Sequence, residues 1–267
     1  MKDKVIIITG ASSGIGKACA ERFALAGAKL VLAARNLSAL SQIKDNFDKQ
    51  NVQSIIVETD VSKEADCIKL VETTVSKYGK IDVLINNAGI SMRAGLIDTD
   101  PSVIQRVMDV NFFGTVYCTR YALPYIQKSK GSIVGVSSIA GYKGLPGRTG
   151  YSASKFAMQG FLESVRIENL KNGVHVMVIC PGFTSSNIRQ TALSMDGSVQ
   201  GESPRDEKNM MSSELVANYL FSGLLKKKRT IILTFNGKLT VFLSKFFPKL
   251  SDALVYNHLK KEPGAPF

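Results

Sequence analysis

A tyrosine and a lysine lie four positions apart at Tyr151 and Lys155, in a stretch whose sequence predicts a helix. Residues i and i+4 of a helix share one face, so the phenol and the ammonium are expected to be neighbours. Bringing a tyrosine pKa from about 10 to neutrality takes about 4 kcal/mol. A lysine about 5 Å away, at an effective dielectric near 20, supplies roughly 3 kcal/mol of that. The pair therefore predicts an acid–base catalyst in which Lys155 lowers the pKa of Tyr151.

The strands and helices that position this pair are predicted from short apolar runs that alternate with longer helical patterns. Nearly continuous apolar runs are typical of parallel strands buried on both faces. Strands are predicted at residues 5–9, 29–34, 54–59, 83–86, 132–137, 175–180 and 230–234. Helices are predicted at residues 16–26, 38–50, 64–78, 102–127, 150–170 and 213–225. The alternation favours an α/β fold: a single-domain, doubly wound parallel sheet of about seven strands with helices on both faces.

A glycine-rich turn, TGASSGIG at residues 9–16, directly follows the first predicted strand and opens the first helix. Glycines let the backbone approach a pyrophosphate closely, and the start of the helix offers free N–H groups and a positive dipole end. A tight connection with no ligand is the alternative. The position of the turn favours a Rossmann-like dinucleotide site. Its predicted cofactor-binding residues are Gly10, Ser12, Ser13, Gly14, Ile15 and Gly16.

The ends of the next strands predict the rest of the cofactor site. An acidic residue at the end of the second strand suits the ribose hydroxyl of NAD, whereas an arginine suits the 2′-phosphate of NADP. Here Arg35 and Asn36 follow a neutral alanine, so NADP(H) is predicted in preference to NAD(H), with a solvated surface arginine as the alternative. The adenine is expected beside Asp60 and Val61. The wall beside the cofactor is predicted to include Asn87, Ala88 and Gly89.

Taken together, these segments resemble the short-chain dehydrogenase/reductase family, in particular its hydroxysteroid dehydrogenase and dehydrogenase/reductase branch. The motifs are TGASSGIG at 9–16, NNAG at 86–89, the asparagine of DVNFFG, VSSIAG at 136–141, YSASK at 151–155 and PG at 181–182. They occur in the family's order and spacing over roughly residues 4–235. The resemblance implies an NAD(P)(H)-dependent oxidoreductase that acts on an alcohol or a carbonyl.

The resemblance also implies a catalytic tetrad of Asn111, Ser138, Tyr151 and Lys155. The family's serine lies thirteen positions before its tyrosine, which selects Ser138 over its neighbour Ser137. Tyr151 would act as general acid or base and Ser138 would orient the substrate oxygen. The remaining implied roles are a water anchored by Asn111, the nicotinamide ribose held by Lys155, and the nicotinamide flanked by Pro181 and Gly182. Thr184 and Ser186 both fit the contact with the carboxamide and diphosphate, and the choice stays open.

This chemistry also follows from the residues themselves. Hydride transfer to a carbonyl creates an alkoxide that needs a proton donor, and the reverse reaction needs a base. The lining predicted for the substrate is mainly apolar, so a hydrophobic ketone or aldehyde and its alcohol are expected. The predicted substrate residues are Ser138, Ile139, Tyr142, Leu145, Phe183 and Ile188. Two other readings stay open: a 3-oxoacyl thioester reductase and a non-catalytic NADP-binding module.

Two segments beyond the motifs invite separate predictions. Residues 184–212 are polar and irregular, which favours a flap over the substrate. Residues 236–267 form a basic extension in which apolar side chains alternate with lysines. Between Lys226 and Lys261 there are nine lysines and arginines and one acid, out of a net charge of +12. This extension fits a surface helix on a bilayer, a lid, a subunit contact or an ordinary packed helix pair.

The composition sets the remaining expectations. Hydrophobic residues make up 45% of 267 residues and charged residues 21%, as in an ordinary globular protein. No apolar run is long enough to cross a bilayer, and the first one starts too early for a signal peptide. Four scattered cysteines and two histidines predict reduced thiols in a cytoplasmic protein and no metal site. Contact with a membrane surface, a homo-oligomer (dimer or tetramer) and no nucleic-acid partner complete the expectations.

Overall fold

The computed structural model describes residues 1–203 and 210–267, and its centre is one seven-stranded sheet. The strand order is β3-β2-β1-β4-β5-β6-β7, and every neighbouring pair is parallel. The strands are β1 Val5–Thr9, β2 Lys29–Ala34, β3 Ser54–Glu58, β4 Val83–Asn86, β5 Ser132–Val136, β6 His175–Cys180 and β7 Thr230–Ile232. The predicted α/β fold with a doubly wound parallel sheet is confirmed.

The helices are α1 Gly14–Ala24, α2 Leu37–Lys49, α3 Glu64–Tyr78, α4 Pro101–Met108, α5 Gly114–Ser129, α6 Thr149–Glu168, α7 Ser213–Leu225, α8 Phe235–Phe246 and α9 Pro248–Leu259. The single helix predicted over residues 102–127 is correct in extent but contains a π-helical turn, Asp109–Phe113, between α4 and α5. The last strand is two residues shorter than predicted, because only Thr230–Ile232 pairs with β6 at the edge of the sheet.

The core consists of two apolar layers, one on each face of the sheet. Alternate residues of β1 divide between them: Ile6 and Ile8 pack with α1, α2 and α7, while Val5 and Ile7 pack with α3, α5 and α6. All four side chains are fully buried. This explains why the strand reads as a continuous apolar run rather than an alternating one.

The structure describes the whole basic extension, residues 236–267, but only part of the predicted flap, residues 184–212. Part of the predicted flap, residues 204–209, lies outside the described residues. The basic extension folds into α8 and α9, which pack against each other, and α8 also contacts the turn Ile139–Gly141. None of the helices in the described ranges is long and apolar enough to cross a membrane.

Candidate active site

A cavity of about 560 Å³ runs along the carboxyl ends of the central strands. In a parallel doubly wound sheet this edge is where ligands bind. The loops after β1 through β6 all contribute to its walls. The sequence-predicted residues that line it are Gly10, Ser12, Ser13, Gly14, Ile15, Arg35, Asn36, Asp60, Val61, Asn87, Ala88, Gly89, Ser138, Leu145, Tyr151, Lys155, Pro181, Gly182, Phe183, Thr184, Ser186 and Ile188.

The glycine turn is built for a close backbone approach. Gly10 and Gly14 have φ angles of +65° and +51°, which side-chain-bearing residues rarely adopt. The Ser13 side chain makes no capping hydrogen bond to α1, and the first turn of α1 carries no acidic residue. The amide groups at this helix start therefore lack a side-chain cap beside the cavity, which suits an anionic group such as a pyrophosphate.

Gly16 lies behind the turn rather than in the cavity lining. A Cβ added there would come within 2.2 Å of the Gly10 carbonyl oxygen and 2.6 Å of the Asn87 amide nitrogen. That amide donates hydrogen bonds to the backbone oxygens of Thr9 and Gly10, at 2.9 and 3.2 Å. Gly16 thus allows α1, β1 and the β4 loop to pack closely, and any effect on a nucleotide would be indirect.

The end of the cavity beside the loops after β2 and β3 has one exposed arginine and several local turns. Arg35 is exposed and has no ion pair with any carboxylate in the described part of the chain. The side-chain oxygen of Asn36 accepts a hydrogen bond from the Ala39 amide and so caps α2. The Asp60 carboxylate accepts from the amide and hydroxyl of Ser62, at 3.1 and 2.7 Å. Arg35 is therefore the cationic group in this part of the lining.

Tyr151, Lys155 and Ser138 meet at the opposite end of the cavity. Tyr151 and Lys155 lie on α6, which follows the loop after β5, while Ser138 is the second residue after the end of β5. The Lys155 Nζ lies 5.7 Å from the centre of the Tyr151 ring and donates a 2.9 Å hydrogen bond to the Val136 carbonyl. The helix therefore brings the phenol and the ammonium together, as the spacing predicts.

The predicted direction of the Tyr151 pKa is wrong for the protein alone. Loss of water around its hydroxyl raises the pKa, against a hydrogen bond with Ser138 and the charges of Arg148 and Arg189, which lower it. Burial also lowers the pKa of Lys155 to about 8, and this side chain is only 3% exposed. The Coulombic argument from the sequence leaves out desolvation, which disfavours the phenolate of Tyr151 and the ammonium of Lys155.

Asn111 is fully buried in the π-helical turn and does not line the cavity. Its side-chain oxygen accepts from the Ile90 amide at 2.8 Å, and its amide donates to the Ile90 carbonyl and the Ser154 hydroxyl at 2.9 Å each. It joins the loop after β4 to α6. Its side-chain oxygen and the Lys155 Nζ both lie beside Gly89, so it neighbours the lysine while its amide serves the backbone.

Thr184 and Ser186, the two residues after β6 that could contact the carboxamide and diphosphate of the cofactor, lie in different surroundings. Thr184 is 5% exposed and its hydroxyl donates to the Gly182 carbonyl at 3.2 Å. Ser186 lies against the glycine turn, with its Cβ 3.3 Å from the position a Gly14 Cβ would take. Ser186 is therefore beside the predicted pyrophosphate position, whereas the Thr184 hydroxyl is engaged in its own loop.

Two residues predicted to touch substrate do not line the cavity: Ile139 and Tyr142. Ile139 packs close to Gly237 of α8, and Tyr142 has a pKa raised to about 12 by burial, with a hydrogen bond to Thr230. Ile139 therefore packs against the C-terminal extension, whereas Tyr142 lies beside the edge strand β7. The cavity also has lining residues that sequence reasoning missed: Ile90, Ser91, Arg106, Val110, Arg148, Arg189, Leu193 and Val199.

A long-range connection explains several of the missed residues. Arg93 donates its backbone N–H to the Leu193 carbonyl at 2.8 Å, and Leu193 donates to the Ser91 carbonyl at 2.9 Å. These bonds join the loop after β4 to the segment after β6, about one hundred positions later in the chain. No local spacing could have indicated that pairing. In the described residues, no group of three or more histidine, cysteine or acidic side chains could hold a metal ion.

The parallel sheet, the uncapped glycine turn and the tyrosine–lysine pair at one edge define an α/β dinucleotide-binding oxidoreductase. A family model described as short chain dehydrogenase matches residues 4–197. Dehydrogenase/reductase SDR family member 7B of Mus musculus is 35% identical over 268 residues, which is 98% of this chain and 83% of the mouse protein. The chain belongs to the short-chain dehydrogenase family, as its motifs predict.

Solved structures agree with this assignment. A short-chain dehydrogenase/reductase from Burkholderia phymatum, in complex with NAD, superposes with a TM-score of 0.84 at 26% identity, covering 93% of this chain and 95% of that one. An alcohol dehydrogenase from the archaeon Thermococcus sibiricus, complexed with 5-hydroxy-NADP, gives a TM-score of 0.76 at 25% identity, covering 86% and 94%. The likeness therefore extends over most of each chain.

Proposed function

We propose that this protein is an NADP(H)-dependent oxidoreductase that interconverts a hydrophobic ketone or aldehyde with its alcohol. The proposal depends mainly on one observation: Tyr151, Lys155 and Ser138 share a cavity with the uncapped start of α1. A nicotinamide cofactor, when bound, supplies or accepts the hydride. The protein must then orient the reacting oxygen and move one proton.

Tyr151 is proposed as the proton donor and acceptor. Because its surroundings raise its pKa, the neutral phenol is its resting form, and a phenol can protonate the alkoxide formed when a carbonyl is reduced. The Ser138 hydroxyl interacts with the Tyr151 oxygen and would bind the substrate oxygen beside it. Lys155, held by the Val136 carbonyl, would bind the ribose of the cofactor and favour the phenolate when it carries its own proton.

The preference for NADP(H) rests on Arg35. The guanidinium is exposed at the end of β2 and has the geometry to hold a phosphate with two hydrogen bonds. The two structural neighbours described above hold one cofactor of each kind, so this residue carries the preference. Asn36, Asp60 and Val61 would bind the adenosine, and Ser12, Ser13, Gly14 and Ser186 the pyrophosphate.

A substrate screen with and without the Tyr151 hydroxyl tests the function. Ketones, aldehydes, alcohols and 3-oxoacyl thioesters are offered with NADPH or NADP⁺, and the absorbance of the reduced nicotinamide is followed. We expect turnover of hydrophobic carbonyls, and a loss of at least about 10³-fold in Tyr151→Phe with cofactor affinity retained.

The controls separate the alternatives. Ser164→Ala, on the outer side of α6, should leave turnover unchanged. Activity confined to thioesters would favour the acyl reductase, and cofactor binding without any turnover would favour a non-catalytic module. Normal rates in Tyr151→Phe would refute the assigned role of the phenol.

Peripheral membrane contact through α8 and α9 is part of the proposal. These helices carry large apolar side chains that are 41–78% exposed, and exposed lysines lie among them. We call them the α8–α9 apolar surface: Phe235, Leu239, Phe242, Phe246, Phe247, Leu250 and Leu254. Aromatic and aliphatic groups among lysines suit an anionic lipid surface of the cytoplasm.

Vesicle sedimentation tests this contact. Wild-type protein should sediment with vesicles that contain phosphatidylserine and less with neutral ones, and Phe242→Ser/Phe246→Ser should weaken the binding. Leu25→Ser, which alters an exposed leucine after α1, is the matched control. Equal sedimentation of the wild type, the double variant and the Leu25→Ser control would refute the proposed membrane contact. We also propose a homo-oligomer through an exposed aromatic surface that includes Phe113, just before α5, and Phe156 on α6. A monomer in sedimentation velocity would contradict it.

A further inference from the structure

The carboxylate of Glu262, close to the C-terminus of the chain, is buried next to the N-terminal end of α6. Glu262 is 6% exposed, and its Oε2 lies 2.7 Å from Nη2 of Arg148 and 3.6 Å from Nε of Arg93. Arg148 and Arg93 side chains are themselves only 11% and 12% exposed. Buried ions of this kind require partners, because each has lost most of its water. The Glu262 side-chain carboxylate is thus the counterion that lets the guanidinium groups of Arg148 and Arg93 lie side by side.

The same segment clamps the two loops that carry these arginines. We call residues 260–267 the C-terminal strap. Its Pro263 carbonyl accepts a hydrogen bond from Nη2 of Arg93. Its Pro266 lies against Gly95 in one loop and Gly147 in the other, where an added Cβ would approach within 2.8 and 2.9 Å. The two loops also bond to each other, from the Ala94 amide to the Gly147 carbonyl at 3.0 Å.

Both clamped loops lead directly into the active site. Arg148 is the residue before α6 and stands three positions before Tyr151; its carbonyl accepts from the Ser152 amide at 2.9 Å. The Ser152 hydroxyl in turn accepts from the amide of Leu145, which lines the cavity, at 3.1 Å. A shift of Arg148 would therefore move the first turn of α6 together with one wall of the cavity.

We propose that Glu262 is a positioning residue for the reaction. By pairing with Arg148 and Arg93, it fixes the first turn of α6 and sets the net charge behind the Tyr151 hydroxyl. This inference rests on the proposed function, in which Tyr151 transfers the proton. It assigns the C-terminal strap to the architecture of the active site, although the strap follows the last strand by about thirty residues and carries none of the motifs.

The groups that face Tyr151 give the proposal a directional test. They are Arg148 just before α6, Lys155 on α6, Ser138 after β5, Cys180 at the end of β6 and Arg189 in the segment after it. The charge of Arg148 lowers the pKa of Tyr151. Neutralising Glu262 leaves that charge less compensated, so the phenolate becomes easier to form. Removing Arg148 itself acts in the opposite direction.

The test compares Glu262→Gln, Glu262→Asp and Arg148→Met with wild type in the full chain. We expect Glu262→Gln to lower kcat/KM about tenfold to hundredfold, since small displacements of a catalytic group cost this much. The midpoint of the pH–rate profile should fall by about one pH unit in Glu262→Gln and rise in Arg148→Met. Glu262→Asp, which keeps the charge, should restore the wild-type midpoint even where the rate stays low.

A second readout needs no turnover. The tyrosinate absorbance of each variant, minus that of the same variant carrying Tyr151→Phe, reports the titration of Tyr151 alone. If wild type proves inactive with every substrate, the proposed function fails, while opposite shifts of these midpoints still support the positioning role. Circular dichroism and thermal unfolding of each variant show whether the fold is retained.

The matched control is Asp252→Asn. Asp252 is on α9 and pairs with Lys143, so it also connects the C-terminal extension to the loop before α6, but its side chain is 69% exposed. We expect its rate and its pH midpoint to equal those of wild type. Unshifted midpoints in Glu262→Gln and Arg148→Met, or shifts of the same sign, would overturn the proposal. If Glu262→Gln does not fold, the Arg148→Met and Glu262→Asp titrations decide the matter.

Discussion

The nucleotide-facing edge and the C-terminal strap border the same cavity, but they are held by different physical means. At the nucleotide edge, the fit depends on the absence of side chains: Gly10, Gly14 and Gly16 let three backbone segments approach one another. At the strap, the fit depends on charge, because Glu262 stabilises two buried guanidinium groups. The first kind of contact is set within a few residues of sequence, whereas the second joins residues more than one hundred positions apart.

The same contrast separates two buried cations near Tyr151, Lys155 on α6 and Arg148 just before it. Lys155 is buried and its ammonium bonds to a backbone carbonyl, so burial lowers its pKa to about 8. Arg148 is buried beside the Glu262 carboxylate, which it shares with Arg93. A cation that can lose its proton near neutral pH is suited to move protons, whereas a paired guanidinium is suited to hold structure.

The largest expected effect comes from filling the space behind the glycine turn. Gly16→Ala should lower the free energy of unfolding by about 3 kcal/mol and abolish cofactor binding, since the new methyl group would overlap the Gly10 carbonyl. Thermal unfolding and titration with NADPH measure both effects. Gly160→Ala is the control: in the middle of α6, a Cβ added there would meet nothing within 4 Å, so the change should be neutral or stabilise by up to about 1 kcal/mol. Equal effects of the two substitutions would mean that backbone approach does not govern this edge.

A second prediction concerns the buried lysine and pH. Because the pKa of Lys155 is about 8 in the folded protein and 10.5 for an ordinary, solvated lysine, the unfolded chain binds more protons between these pH values. Stability contributed by this residue therefore rises with pH across that window, by about 3 kcal/mol in total. Denaturant unfolding from pH 8 to 10.5 should show a steeper rise for wild type than for Lys155→Met. Parallel curves would mean that Lys155 keeps its proton in the fold.

A third prediction addresses the far end of the nucleotide edge. Arg35→Asp should weaken NADPH binding about tenfold to hundredfold, since hydrogen bonds to charged groups contribute roughly 1.5–3 kcal/mol. NADH binding should change much less, because it has no phosphate for this side chain. Calorimetric titration of both nucleotides measures the two affinities, and Arg22→Asp, at a half-buried arginine over the Phe221 ring of α7, controls for net charge. Equal losses for both nucleotides would assign Arg35 to general electrostatics.

The smallest expected effect lies on the C-terminal extension itself. Phe246 is 58% exposed on the α8–α9 apolar surface, so Phe246→Ser should alter the free energy of unfolding by no more than about 0.5 kcal/mol. Thermal unfolding without lipid is the measurement. A large destabilisation would show that this surface is packed in solution, for example against a second copy of the chain.

Most of the fold and the nucleotide edge could be predicted because their causes are local. Apolar runs identify buried strands, and the glycine turn and the Tyr151–Lys155 spacing each lie within a single connection or helical turn. The substrate wall was predicted less well. Ile139 and Tyr142 lie within four residues of Ser138, yet Ile139 packs against α8 and Tyr142 lies beside Thr230 of β7. Leu193 and Arg148 border the cavity through pairings with distant segments, which no local pattern reveals.

By itself, the sequence determined the parallel sheet, the dinucleotide edge, the family and the spacing of the phenol and the ammonium. These follow from periodicity, glycine conformation and helical geometry, all of which act over a few residues. Only the tertiary structure decided how much water surrounds Tyr151 and Lys155, and therefore the directions of their pKa shifts. It also decided that Glu262 lies behind the head of α6. Desolvation and burial of a charge depend on everything that packs around a group, and that information becomes available only once the whole chain has folded.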